Sequence, residues 1–333
     1  MKGFQFSALL LVALVTLPVS PACAQAKVGD VAADYPNKPV RMIVGFPPGG
    51  GTDVVARIIT PRLAEYLGQP VLIENRPGAT GTTAAAAFAK SPADGYILMM
   101  GHVSVNAIAP SLFPNLAYDV IKDFAPVTLT ASVQHFVLVH PSLPVTSLKE
   151  LIAYAKAQPG KLSFPSAGNG STPHLAGEMF KSMAGIDLVH VPYKGSGQSM
   201  QDLLAGLHQV AFDTVPAAAP YIRAGRLRAL AVSGARRLAD FPDLPTVEEA
   251  GLPGYQMTTW YGVFAPAGTA PAIVKRLHAE ITRAMQSPET HARLTENGAD
   301  GTLTRSPEEF AALVRADTLR YAKIIRDAGL KID

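Results

Sequence analysis

The sequence has almost no cysteine: Cys23 is the only one among 333 residues. It lies inside a segment that we expect to be removed, so the mature protein would have no disulfide and no nucleophilic thiol. Aromatic residues make up only 7% of the chain and charged residues 17%, whereas 48% are hydrophobic. This balance is typical of a globular protein that depends on core packing. The length allows two domains of roughly 150 residues each.

Blocks of one charge are also missing. The formal net charge is +3, and both signs are spread along the chain. Without a lysine or arginine run, or basic residues interleaved with aromatic ones, a nucleic-acid partner is not indicated. The eight histidines lack the H-x-x-x-H or H-E-x-x-H spacing of metal sites. We therefore expect no metal and no other cofactor.

Residues 1–26 have the pattern of a secretory signal peptide. Lys2 supplies a small positive charge, and the apolar run at 8–17 is too short to span a bilayer. Small residues at 22–26 offer an A-x-A cleavage site, so we expect export from the cytoplasm. A lipid anchor on Cys23 is an alternative, but the residues before it lack the expected leucine.

Apolar strand patterns alternate with amphipathic helix patterns after this leader. The order strand, helix, strand, helix, strand predicts a parallel sheet with helices on its faces, and later units repeat the arrangement. A short polar link is predicted to separate two strands in the middle, 127–131 and 136–139. Ligands bind such sheets where strands end and loops enter helices. The predicted strands are 40–45, 71–74, 96–100, 127–131, 136–139, 162–164, 188–191, 210–212, 227–232 and 260–265.

The first glycine-rich loop, Phe46–Asp53, lies between a predicted strand and a predicted helix and contains three consecutive glycines. The first N–H groups of a helix have no partner inside it, and glycine lets a ligand approach them. This pattern favours an anion site over a simple turn. It matches neither a Walker A loop nor a dinucleotide fingerprint. Asp53 has an alternative explanation as a first-turn acid favoured by the helix dipole.

The second loop, 166–173, places the hydroxyl groups of Ser171 and Thr172 beside free backbone N–H groups, which suits a carboxylate. Thr172 could equally cap the helix, with Pro173 as its first residue. Ser171 and His174 also raise the alternative of a hydrolase. The G-x-S-x-G elbow is missing, however, and no acid is placed to orient the imidazole. We expect His174 to pack or cap locally.

Three further positions lie where predicted strands end. Asp213 could accept from a ligand N–H or O–H group, or it could fix a neighbouring loop. His102 could face a cleft or be structural. The loop that begins at Tyr193 could supply an aromatic wall and free N–H groups, and we favour Tyr193 and the backbone over Lys194 as ligand contacts.

Seven short stretches, in a specific order, carry a resemblance to a known family: YPNKPVR at 35–41, PPGGGTD at 47–53, ENRPGA at 74–79, HVPYKG at 190–195, LAVS at 230–233, LPT at 244–246 and APAGT at 265–269. The chain resembles the Bug-type (TctC-like) solute receptors of tripartite tricarboxylate transporters, which are secreted bacterial binding proteins. The resemblance covers essentially all of the mature chain. One departure, Gly101-His102-Val103-Ser104 in place of the usual Thr-His-Ala pattern, touches the cleft and leaves the ligand's identity open.

The resemblance implies an α/β, two-domain periplasmic-binding-protein fold of the Venus-flytrap, type II-like kind, with a ligand cleft between the domains. One domain would combine residues 27–128 and 250–333, and the other would comprise residues 129–249. The ligand residues predicted from the loops and the resemblance together are Pro48, Gly49, Gly50, Thr52, Ala79, His102, Ser171, Thr172, Gly195 and Asp213.

The expected function is that of a periplasmic receptor, monomeric and without catalytic activity. It would bind a small organic carboxylate and deliver it to the subunits of a membrane transporter. A carboxylate-sensing receptor for a signalling system is one alternative. A secreted serine hydrolase that uses Ser171 is a less favoured one.

Overall fold

The structure is a computed structural model that describes Met1 and residues 34–327. The predicted leader, beyond Met1, and Cys23 therefore lie outside the described residues. In the part of the chain that is described, no helix has the length and apolar character needed to cross a membrane.

The first half of the fold is a sheet whose strands are parallel at its start. Strands β1 (Val40–Val44), β2 (Val71–Asn75) and β3 (Ile97–His102) lie in the order β2-β1-β3. Helices α1 (Gly51–Leu67) and α2 (Thr82–Phe88) connect them. Strand β1 is nearly continuous in apolar residues and buried, as expected of a central parallel strand covered on both faces.

A single long strand, β4 (Phe124–Val139), joins the two halves. The prediction of two strands with a polar link is wrong, because the residues of that link continue the ladder. The main chain of Ser132 pairs with Asp300, and the amide of Gln134 donates to the carbonyl of Arg236. Polar side chains whose hydrogen bonds are met inside the sheet do not interrupt it.

Strand β4 changes partners along its length. It pairs antiparallel with the later strand β9 (Thr258–Pro266) as far as Gln134, and β9 in turn lies beside β3. From His135 onward it pairs with β7 (Val210–Thr214), and from Phe136 with β8 (Arg228–Val232) on its other edge. One strand thus runs from the sheet of one domain into the sheet of the other.

The second half builds helices around this far end of β4. Helices α4 (Leu148–Ala157), α5 (Thr172–Ala184), α6 (Ser196–Leu204) and α7 (Val215–Arg223) alternate with the strands. Strands β5 (Ser163–Ser166) and β6 (Val189–Pro192) form a separate parallel pair. The chain then returns through β9 to the first half, so the protein has a two-domain α/β fold.

The C-terminal helices pack on the first half. Helix α8 (Pro271–Gln286) lies against α1 and β4, and α9 (Pro288–Glu296) follows it. Helix α10 (Pro307–Asp327) packs on β4, on a π-helical turn at Ser104–Ile108 and on the short helix α3 (Ala109–Leu112). Both ends of the described chain therefore contribute to one domain, whereas the exact boundaries given above stay a prediction.

Candidate functional site

The first loop leaves a row of donors at the start of α1. The first intrahelical bond runs from the N–H of Val54 to the carbonyl of Gly50. Among the described residues, the N–H groups of Gly51, Thr52 and Asp53 have no acceptor. The hydroxyl proton of Thr52 has no acceptor among them either. These groups lie at the positive end of a 17-residue helix, which is a favourable place for an anion.

The buried carboxylate of Asp53 holds this loop in shape. It accepts from the N–H of Gly49 at 2.9 Å, from Nε of Arg57 at 2.8 Å and from Nδ2 of Asn75 at 2.9 Å. Burial alone would raise the pKa of Asp53, but these hydrogen bonds outweigh it and hold the pKa below its usual range. Gly49, with φ at +81°, therefore shapes the loop while its N–H is occupied by Asp53.

The turn after β2 reaches across to the second loop. Its residues Ala79 (φ +43°) and Thr80 (φ +54°) both occupy the left-handed region, which non-glycine residues rarely adopt. The Thr80 hydroxyl donates to the carbonyl of Asn169 at 2.9 Å. Strained backbone of this kind clusters at functional sites, and here it sets the predicted ligand residue Ala79 beside the contact between the two domains.

Ser171, not Thr172, caps helix α5. The Ser171 oxygen accepts from the N–H of His174 at 3.4 Å, and its backbone has the extended conformation of an N-cap. The alternative in which Thr172 caps the helix is wrong, because its hydroxyl is bonded elsewhere. The Ser171 hydroxyl keeps its proton free to donate, as a carboxylate contact requires.

Thr172 belongs to a buried triangle with two residues that the sequence did not single out. Its Oγ1 lies 2.7 Å from Oγ1 of Thr259 and 3.2 Å from Nε2 of His135, and Thr259 is 3.1 Å from the same nitrogen. Nδ1 of His135 faces the carbonyl of Met257 at 3.4 Å and so carries the proton. Both hydroxyl protons are therefore used within the triangle, and Thr172 has none left for a ligand.

The arrangement of Ser171 and His174 differs from that of a hydrolase. Nδ1 of His174 accepts from the N–H of Gly170 at 3.2 Å, and its ring stacks on His190 with centroids 4.0 Å apart. Burial, with a smaller contribution from Lys181, lowers the pKa of His174 to about 4. Ser171 contacts the backbone of His174 instead of its ring, so this pair lacks the hydrogen bond that activates a serine. His174 packs and holds the loop, as expected.

Contacts through β9 and the Gly195 loop place the two loops near each other. A Cβ atom on Gly51 would overlap the hydroxyl of Tyr261, and one on Gly195 would lie 3.8 Å from Cγ of Pro47. Tyr261 follows Thr259 by two residues on β9, which joins the first loop to the triangle around Thr172. These contacts bring the first loop, the part of β9 that carries Thr259 and Tyr261, and the loop that carries Gly195 into one region of the molecule.

His102 lies in the same region, at the end of β3. Its ring is 4.9 Å from the ring of Phe46 and 5.4 Å from that of Tyr261. Burial, together with His135, lowers the pKa of His102 to about 3, so the ring is neutral. Nδ1 accepts from the N–H of Ser104 at 2.9 Å, which leaves the proton on Nε2 as a donor.

Asp213 lies at the carboxyl end of β7, where α7 begins. Its Oδ1 accepts from the N–H of Thr214 at 2.7 Å, and burial raises the pKa of the carboxyl to about 7. Burial and the Asp213 carboxylate raise the pKa of Tyr261. Asp213 and Tyr261 are therefore close enough to interact electrostatically.

The hydroxyl group of Tyr193 forms its hydrogen bonds within the second domain. Its hydroxyl donates to Asp202 at 2.6 Å and lies 2.8 Å from Nε2 of His208. Both partners belong to the second domain, so Tyr193 braces the loop that carries Gly195. The part of the prediction that favours Tyr193 as a ligand contact has no support in these hydrogen bonds.

The fold and the opposed loops define a two-domain solute-binding receptor. The chain matches the family described as "Tripartite tricarboxylate transporter family receptor" over residues 55–330. It is 39% identical over 304 residues to the protein BugT of Bordetella pertussis, which covers 91% of this chain and 93% of BugT. The chain belongs to this receptor family.

Two solved structures show the same architecture. A protein of R. palustris solved with adipate has 39% identity and a TM-score of 0.86, covering 90% of this chain and 99% of that one. MatC from Rhodopseudomonas palustris, solved with bound malate, has 36% identity and a TM-score of 0.82, covering 87% of this chain and 100% of that one. The predicted fold and family are thereby confirmed.

Proposed function

We propose that this chain is a periplasmic receptor that binds a small organic carboxylate between its domains and delivers it to a transporter of the tripartite tricarboxylate type. One observation carries the proposal: the N–H groups at the start of α1 have no acceptor among the described residues. These donors would face the Ser171 hydroxyl across a shared crevice between the domains. The adipate and malate in the two solved relatives are small carboxylates, which supports the ligand class.

Affinity would come from donors that are fixed before the ligand arrives. Hydrogen bonds to an ionised acceptor are roughly twice as strong as neutral ones, and they strengthen where closure excludes water. Asp53 contributes by fixing the loop through its bond to the N–H of Gly49, while the N–H groups of Gly51 and Thr52 have no acceptor among the described residues. The site would thus hold a carboxylate without a lysine or arginine.

The predicted ligand residues divide into two roles under this proposal. Residues that have free donors, or whose backbone lies near such donors, would contact the ligand. Gly49 and Thr172 would hold the loops in place. We propose contact roles for Pro48, Gly50, Thr52, Ala79, His102, Ser171, Gly195 and Asp213, and we add Gly51 and Tyr261 to them.

We further propose that the domains, 27–128 with 250–333 and 129–249, close about the strands that connect them. The change of partner on β4 between Gln134 and His135 marks one place where rotation would occur. The receptor would act as an exported monomer without a cofactor and without turning over its ligand.

A thermal-shift screen of the purified protein tests the proposal. The panel holds mono-, di- and tricarboxylates, amino acids and aromatic acids, each beside its neutral amide as the matched control. A ligand at a hundred times its Kd should stabilise the folded state by about 2.7 kcal/mol. We expect at least one acid, and none of the amides, to raise the melting temperature, and the ligand to be recovered chemically unchanged. A panel without any shift, or hydrolysis lost in Ser171→Ala, would contradict the proposal.

A further inference from the structure

Asp213 is a buried acid without a counter-charge. The residue is only 5% exposed, and its one hydrogen-bonding neighbour among the described residues is Thr214, the next in sequence. No ion pair in the described part of the chain involves it. A buried charge usually requires such a partner, because desolvation disfavours it strongly.

A structural explanation for Asp213 is incomplete. An acid just before the N-terminus of α7 gains from the helix dipole and accepts one backbone N–H. Even so, burial raises the pKa of Asp213 to about 7. Asp53, in contrast, sits at the start of α1 with three donors and a lowered pKa. The environment of Asp213 therefore still lacks the donors that a settled structural carboxylate has.

The missing donor would come from inside the crevice. Strand register brings Asp213 near the second loop, because the next residue, Thr214, pairs with His135, whose ring contacts Thr172 and Thr259. Two residues beyond Thr259 on β9, the Tyr261 hydroxyl abuts the position of a Gly51 side chain. A short ligand whose carboxylate meets the N–H groups of α1 would also reach Asp213. His102 and His135, the titratable groups of β3 and β4 beside this space, are neutral and supply no fixed positive charge.

We propose that Asp213 determines ligand specificity, and that the ligand carries a hydrogen-bond donor, an ammonium or a hydroxyl group, in addition to its carboxylate. This inference rests on the proposed function. It assigns opposite preferences to the two ends of the crevice: N–H groups that take an anion, and a carboxylate that takes a donor. A second unsubstituted carboxylate would meet a like charge when Asp213 is ionised.

Calorimetric titration with matched trios tests this assignment. In each trio a hydrogen, a hydroxyl or an ammonium occupies the same carbon: propionate, lactate and alanine; succinate, malate and aspartate; butyrate, 4-hydroxybutyrate and 4-aminobutyrate. In at least one trio we expect a hydroxy or amino acid to bind about tenfold or more tightly than the unsubstituted acid, the ratio expected for one hydrogen bond to a charged group.

The variant Asp213→Asn should weaken that preferred ligand about tenfold and strengthen or leave unchanged the unsubstituted diacid. The matched control is Asp317→Asn, which should leave binding unchanged. Asp317 is another largely buried carboxylate; it lies on α10 and accepts a hydrogen bond from Trp260.

Unsubstituted acids that bind as tightly as their partners, or a ligand preference unaltered by Asp213→Asn, would overturn the assignment while the proposed function stands. If none of these acids nor any of the screening panel binds, the proposed function itself fails. Should Asp213→Asn not fold, the comparison within the wild-type trios decides alone.

Discussion

Gly51 has no room for a side chain, because the Tyr261 hydroxyl occupies the place of its Cβ atom. Its neighbour Gly50 has an ordinary φ of −75° and more space around it. The glycine that matters for close approach is therefore the third of the run, which is also the first helical residue and carries a free N–H group. At the scale of single residues, the site depends on this contact between a bare backbone and a phenol.

We predict that Gly51→Ala destabilises the fold by about 1 to 3 kcal/mol through overpacking and weakens carboxylate binding. Adding Tyr261→Phe should recover most of the stability, since it removes the overlapping oxygen. Urea unfolding and calorimetric titration measure the two effects. Gly197→Ala is the control, because a Cβ there meets nothing within 4 Å, and it should leave binding unchanged. Wild-type stability and affinity in Gly51→Ala would contradict this account of the loop.

At the scale of elements, the triangle of Thr172, Thr259 and His135 ties helix α5 to strands β9 and β4. The three residues come from segments far apart in sequence, and each is almost completely buried. His135 lies where β4 exchanges β9 for β7 as a partner. The triangle therefore joins the second loop to the strands that connect the domains.

We predict that the effects of Thr172→Val and Thr259→Val on stability are not additive. Either change alone leaves one hydroxyl to donate to His135 and should cost about 1 kcal/mol. Together they leave a buried imidazole nitrogen without a donor, so the double variant should lose about 1 kcal/mol or more beyond the sum. A cycle of urea-unfolding measurements gives this difference.

The control cycle pairs Thr172→Val with Thr130→Val. The Thr130 hydroxyl donates to the carbonyl of Tyr261 and takes no part in the triangle, so these two changes should add within about 0.5 kcal/mol. Additivity in both cycles would show that the three side chains do not act as a unit.

Local patterns in the sequence predicted most elements, and with them the first loop. A strand, three glycines and an amphipathic helix are neighbours in sequence, so their chemistry can be anticipated without tertiary contacts. The continuity of β4 could not be anticipated in this way. The polar residues that suggest a break form their hydrogen bonds with Asp300 and Arg236, which come from distant segments. The residue that caps α5 could not be identified from the sequence for a similar reason. Thr172 is bonded to His135 and Thr259, which local sequence does not bring near it.

At the scale of the whole molecule, the proposed crevice draws on both domains. The first would contribute the start of α1, the turn at Ala79 and Tyr261, and the second would contribute the loops of Ser171, Gly195 and Asp213. Contacts already cross between them, such as the hydrogen bond from Thr80 to Asn169 and the ion pair of Arg236 with Asp300. A ligand that bridges the two sets of loops would stabilise the arrangement in which they face each other.

The central claim is that main-chain donors at the start of α1 hold the ligand's carboxylate. An amide NMR titration of the isotopically labelled protein with the best acid from the screen tests it most directly. We predict that the amide proton resonances of Gly51, Thr52 and Asp53 move downfield and saturate with one equivalent of acid, and that the neutral amide of the same acid leaves them in place. Saturable binding that shifts other resonances and leaves these three unmoved would contradict the account.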